Sequence, residues 1–262
     1  MLAKRSLVAL GCGAYVAFAL LQFPAATAYR WFAPDSAVLS GVSGTVWAGR
    51  AALASIGGLP MRDLEWDLKA LPLLIGRASG HLSGRLADGL VDASAAATWR
   101  TLNLSDVELA TSLDTLGVWL PLQGARGSVS VNLEELTLRN NWPMSIVGSV
   151  RVGQLEVPPL VPGGNAALVP LGGYELTNFA LAERRLAAQL RDTGGPLEVS
   201  GTVALALQTA GSLRGAVPSF DGRVRERADL PAELREPLEF LTAEIDGSGW
   251  RTLNLDPWLQ SL

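Results

Sequence analysis

The chain has 262 residues, enough to bury a core in one large domain or two smaller ones, and its 21 lysines and arginines against 25 aspartates and glutamates leave a net charge of −4. That balance provides no basic field for a polyphosphate backbone, which excludes nucleic acid as an expected partner. Cys12 is the one cysteine and His81 the one histidine, so an internal disulfide and a Cys-rich metal site are excluded and a hydrolytic nucleophile has a single candidate base.

Residues 1–28 read as a membrane anchor, a short tail followed by a transmembrane helix. Lys4 and Arg5 precede residues 7–23, a run of 17 without a charge. As a helix rising about 1.5 Å per residue this run spans ~25 Å, and the uncharged residues as far as Ala28 complete a ~30 Å hydrocarbon core. Basic residues ahead of the span and a long chain behind it orient Met1 to the cytoplasm and place everything from about Tyr29 onward, residues 29–262, across the membrane. The rival reading is a cleaved signal peptide, because Ala26-Thr27-Ala28 fits the small-residue cleavage pattern and Pro24 breaks a helix just before it. Signal peptides usually carry an apolar region of about 7 to 15 residues, and the greater length here favours retention. Cys12 lies mid-segment, where it acts as a small apolar residue. Trp31, just past the span, suits the aromatic belt at a membrane boundary.

The stretch GVSGTVWAG at 41–49 has the glycines of a phosphate loop but neither its lysine nor a helical period after it. Thr45, Trp47 and Gly49 alternate with Val46, Ala48 and Arg50, so it reads as strand, with glycines where something packs closely on the backbone and Trp47 covering the sheet. In MRDLEWDL, 61–68, Leu64, Trp66 and Leu68 share one face and Asp63, Glu65 and Asp67 the other, the pattern of a half-buried strand. Those carboxylates recur about 6.5 to 7 Å apart along one face, too far to chelate a cation unaided, which makes them a solvated face. His81, between Gly80 and Leu82, reads as a polar residue near a strand end, and no G-x-S-x-G turn presents a serine to it.

Alternation returns at 128–133, 145–152, 197–207 and 251–255, with turn signals at 87–89, 123–124, 192–196, 209–211 and 246–247. Antiparallel hairpins are the expected unit. The clearest runs through DTGGP, where Gly194 and Gly195 permit positive φ and Pro196 starts the returning strand. Helix is the runner-up for 181–190 and is expected in short pieces at 112–120 and 231–242, with Pro237 kinking or ending the second. Glu134 and Glu135 point to opposite faces of a strand, which defeats acid–base cooperation. Residues 158–173 hold four prolines and four glycines, and a division of the exported domain into two halves falls there if it falls anywhere. Of the eight tryptophans, core packing is the plain reading; Trp31, Trp47 and Trp119 are the candidates for contact with a partner or lipid.

The order of these features resembles a known family. A basic N-terminus and one span, then VSGTVWAG (42–49), LEWDL (64–68), GHLSGRLADG (80–89), LPLQGARGSVSVNLEEL (120–136), NWP (141–143), DTGGPLEVSGTVAL (192–205) and IDGSG (245–249) are similar to the type II secretion system protein N family, in the same order and over nearly the whole chain. The resemblance implies a protein of the Gram-negative inner membrane with a mainly β, curved antiparallel periplasmic domain and one or two short helices. It further implies an accessory part of the machine that exports folded proteins across the outer membrane, with other secretion subunits and the inner-membrane bilayer as partners and no enzymatic activity, cofactor or metal. The alternative is a periplasmic lipid or hydrophobic-ligand binding protein, in which the sheet's apolar face forms a groove.

Overall fold

The computed structural model describes residues 15, 18–32, 37–56, 58–117, 124–140, 142–158, 168–182, 185–206, 217–245 and 247–255. Cys12, Trp119, Trp258 and most of the expected span at 7–23 lie outside them. Among the described residues no helix is long and apolar enough to cross a membrane.

One curved, open antiparallel sheet makes up most of the chain. Its strands are β1 (Ala37–Ser40), β2 (Ser43–Gly44), β3 (Ala48–Ile56), β4 (Leu59–Lys69), β5 (Ala78–Leu86), β6 (Gly89–Ala97), β7 (Thr101–Ser112), β8 (Arg126–Arg139), β9 (Trp142–Val157), β10 (Val169–Ala182), β11 (Arg185–Gly194), β12 (Leu197–Ala206), β13 (Val217–Glu226), β14 (Thr242–Ile245) and β15 (Arg251–Leu255). From β3 to β13 every strand pairs with the next in sequence, and at the end β15 inserts between β13 and β14. β1 and β2 both pair with β3, end to end, so they act as one edge strand broken at Gly41-Val42. The sheet continues across the Pro/Gly-rich stretch, with Val157 opposite Val169.

The alternation that marks these strands is interrupted by residues that a period of two does not accommodate. Leu59, Met61 and Leu64 are all buried, although the last two are three apart. Between the pairs Arg62↔Arg85 and Glu65↔Ser83, β4 advances three residues and β5 two, and Asp63 takes up the extra one at φ 49°. Asp106 on β7, Gln154 on β9 and Asn178 on β10 do the same at φ 52°, 50° and 52°. Short polar side chains tolerate this left-handed conformation best, because they satisfy the backbone locally.

Among the described residues, α1 (Ala25–Phe32), α2 (Leu113–Leu116) and α3 (Ala232–Leu241) lie against the sheet. α2 is shorter than the expected 112–120, within the described residues. α3 runs through Pro237 rather than ending there. Proline removes only the hydrogen bond to the carbonyl of residue 233, and burial of Leu230, Leu234 and Leu238 at a spacing of four holds the helix down. Residues 181–190 are strand. Residues 41–49 are not one continuous strand: Gly44 faces Gly49, and Thr45-Val46-Trp47 turn between β2 and β3.

Most of the buried apolar residues fall into two groups that share no member. The first joins Ala51, Leu64, Leu86 and Val129 with Leu113 and Leu116 of α2. The second joins Val169, Val199, Phe220 and Val224 with the three leucines of the α3 segment. None of the six described tryptophans is fully buried: Trp66 is half-buried and packs against the first group, while Trp31 and Trp99 are exposed. A single sheet layer has little interior deep enough for an indole, and the buried apolar positions go to Leu, Val, Ala, Met and one Phe, Phe220.

Candidate functional site

The N-terminal segment is stitched to the turn between β2 and β3. Pro24 bridges to Thr45, Val46 donates its N–H to the Phe23 carbonyl at 3.0 Å, and Trp47 Nε1 donates to the Leu20 carbonyl at 2.8 Å. Trp47 is thus half-buried and tied to the incoming chain. The indole that lies on the glycines is that of Trp66: a Cβ on Gly49 would sit 2.7 Å from Trp66 Cε2, and Trp66 Nε1 donates to the Val46 carbonyl at 3.1 Å. Gly49 is therefore the close approach that the sequence anticipates in this stretch.

α1 then lies along the sheet edge. Tyr29 Oη donates to the Ala37 carbonyl at 3.3 Å and accepts from the Leu39 N–H at 2.9 Å, occupying backbone groups that an edge strand would leave open. An apolar pocket of about 370 Å³ opens between the helix and the sheet, lined by Tyr29, Phe32, Leu39, Val42, Trp66 and Leu82 among others. Trp31 is 67% exposed and stacks at a tilt on Phe23, 5.7 Å between ring centroids, and Phe32 is 75% exposed. Trp31 and Trp47 therefore meet the same incoming segment, while Trp119 is outside the described residues.

Gly194, Gly195 and Pro196 connect β11 to β12 at the far end of the sheet. Gly194 has φ 132° with open space around it, and Gly195 has φ 151°, with the Leu171 carbonyl oxygen 2.6 Å from where a Cβ would be. Arg227, just past β13, braces the turn: its Nη1 donates to the Gly195 carbonyl at 2.8 Å and its Nη2 to Asp192 Oδ2 at 2.7 Å. Asp192 Oδ1 accepts the Val199 N–H at 3.1 Å. Tyr174 sits beside this pair and donates to the Leu171 carbonyl; burial first, and then the Asp192 charge, push its pKa up to about 12. This network is a brace that fixes a turn, not a reacting centre.

One cluster has the composition of a hydrolytic triad. His81 Nε2 is 3.1 Å from Asp92 Oδ2 and its Nδ1 is 3.3 Å from Ser94 Oγ. His81 faces Ser94 directly across β5 and β6, and Asp92 is two residues along on the same face. The group is half-exposed on the open side of interior strands, whose amides are committed to the ladder and so do not form an oxyanion hole. It reads as a cross-strand polar contact. Asp63 pairs with Arg85 at 3.8 Å, and among the described residues no three His, Cys, Asp or Glu side chains come together as a metal site. Glu134 is the extra residue of a bulge opposite Gly148 and Val147, and both it and Glu135 are exposed.

Comparison with known proteins agrees with the family resemblance. The profile of type II secretion system (T2SS), protein N, matches residues 36–254. The chain is 27% identical over 254 residues to the type II secretion system protein N of Aeromonas hydrophila, covering 94% of this chain and 95% of that one. It is 24% identical over 228 residues to the type II secretion system protein N of Vibrio cholerae serotype O1, covering 82% of each. No solved structure matches the chain. A profile that spans the sheet from β1 into β15 makes this chain a member of the type II secretion system protein N family.

Proposed function

We propose that the protein is an inner-membrane-anchored accessory component of the type II secretion system, taking part in export of folded proteins across the outer membrane through protein–protein contacts. Residues 7–23 hold it in the inner membrane with Met1 in the cytoplasm, and residues 29–262 work in the periplasm as a non-catalytic β domain, with 158–173 as the seam between two halves. The family match over residues 36–254 carries the pathway. The sheet supports the mode of contact: β14 is an edge strand, and a strand with unpaired N–H and C=O groups accepts a partner strand. Val38, on β1, is 64% exposed and gives a probe position at the other edge.

The second reading, a binder of lipid or another hydrophobic ligand, is favoured by one observation, the apolar pocket under α1. One experiment separates the two. A photo-crosslinking residue at Val38 or Trp47, in cells making the whole secretion machinery, is expected to capture other secretion subunits, with no phospholipid retained through purification. Bound lipid without protein partners would give the second reading first place, and unimpaired secretion after clean deletion of the gene would remove the proposal.

A further inference from the structure

The hairpin tips at one end of the sheet line up. Lys69 pairs with Ser79, Ser79 with Ala96, Ala96 with Asn103, Asn103 with Thr137 and Thr137 with Ser145, so a single row crosses β4 to β9, a width of about 25 Å. The connections 70–78, 97–102 and 138–144 all lie beyond it. At the first tip a short 3₁₀ turn, Leu71–Ile75, leaves Leu73 44% and Ile75 74% exposed. At the second, Trp99 is 82% exposed, with the Arg100 guanidinium 3.7 Å from its ring centroid. In sequence these three connections carry Arg77, Arg100 and Arg139 and not one aspartate or glutamate. The opposite end is mixed, with Asp88, Asp114, Glu156, Glu226 and Asp229 beside Arg126 and Arg227.

The incoming N-terminal segment is tied to this same end. Ala48, at the start of β3, faces Asp67, two residues short of the row, and Leu68 donates its N–H to the Trp47 carbonyl at 2.5 Å. Trp31, stacked on Phe23, protrudes beside it. Exposed large apolar side chains interleaved with arginine and free of acids are the composition that settles in a headgroup layer, aromatic rings at the boundary and cations on anionic phosphates.

We infer that this end of the sheet is a membrane-contacting rim, with the tips bearing Leu73, Ile75, Trp99 and Arg100 seated in the headgroup layer of the bilayer that residues 7–23 enter. The inference rests on the anchor reading given above. Continuity with the incoming chain selects a bilayer over a protein partner: a short tether at this end holds the tips within reach of the lipid surface. Strand twist of ~20–25° per step turns the row as it crosses the sheet, so contact centres on the two tips nearest α1.

The test uses the full chain with Cys12→Ser, reconstituted in phosphatidylethanolamine–phosphatidylglycerol vesicles, with an environment-sensitive fluorophore on Ile75→Cys or Trp99→Cys. Arg62→Cys, exposed on β4 some 23 Å below the row at ~3.3 Å per residue, is the aqueous control, and Phe18→Cys reports on the anchor. The expected result is a blue shift at 75 and 99, with quenching by nitroxide-bearing phospholipid, and neither at 62. A lipid signal at 18 with water-like emission at 75 and 99 overturns the rim and leaves the anchor standing. A water-like signal at 18 as well overturns both. A blue shift at 75 and 99 without lipid quenching overturns the rim in favour of a protein contact.

Discussion

Arg227 shows how much a single side chain organises here. It reaches from the end of β13 to hold a carbonyl and a carboxylate of the turn between β11 and β12, so that three strands are fixed through one guanidinium. The two glycines of that turn are not equivalent. Both have positive φ, but only Gly195 is pressed against the backbone of Leu171 and Gly172. Gly195→Val is therefore expected to lower stability by more than Gly194→Val, each by more than ~1 kcal/mol, in urea unfolding monitored by circular dichroism. Tyr174 supplies a second test. Its folded pKa of about 12 lies above the ordinary value of 10, so the stability it contributes is complete below pH 10 and is lost as pH rises toward 12, where the unfolded chain ionises and the fold resists. Tyr174→Phe should flatten the fall in stability between pH 10 and 12, and an unchanged slope would exclude this phenol as its source.

At the scale of strands, the bulges decide which faces are buried. Asp63 re-phases β4 so that Met61 and Leu64 both turn inward, and its left-handed backbone strains a β-branched side chain most. Asp63→Val should lose about 1 kcal/mol or more in chemical denaturation, and Asp63→Gly should lose less or gain. The strands themselves were legible because apolar alternation persists for several residues on either side of each bulge. The DTGGP hairpin was legible because its turn chemistry is local. The bulges were not, since an aspartate inside an alternating run looks like any solvated position until the partner's register is known. LEWDL did place Leu64, Trp66 and Leu68 on one face, since the bulge precedes them: Trp66 packs on the core that holds Leu64 and lines an apolar pocket with Leu68, and exposure rises from 3% at Leu64 to 38% at Leu68 as the strand nears its end. The rim escaped sequence reading altogether, because Ile75, Trp99 and Arg100 become neighbours only through pairing.

Across the whole molecule, the sheet is continuous while its apolar core is divided. Leu86 is 1% exposed in the first group and Val224 is 1% exposed in the second. Leu86→Ala is expected to cost about 2–5 kcal/mol of local stability. Hydrogen exchange should accelerate through β4 to β7 and change little in β11 to β13. Uniform acceleration would show one cooperative unit.

The strand order also sets a sequence of events for a chain that emerges N-terminus first. Each strand from β4 to β13 finds its partner already in place, so the sheet grows by accretion and asks for no long search. Only the last step breaks this order: β13 waits, one side unsatisfied, until Arg251–Leu255 arrive and seat β14 outside them. The terminal edge that a partner would meet therefore does not exist until those five residues have been made, and an incomplete chain presents a different edge, that of β13, to the assembly.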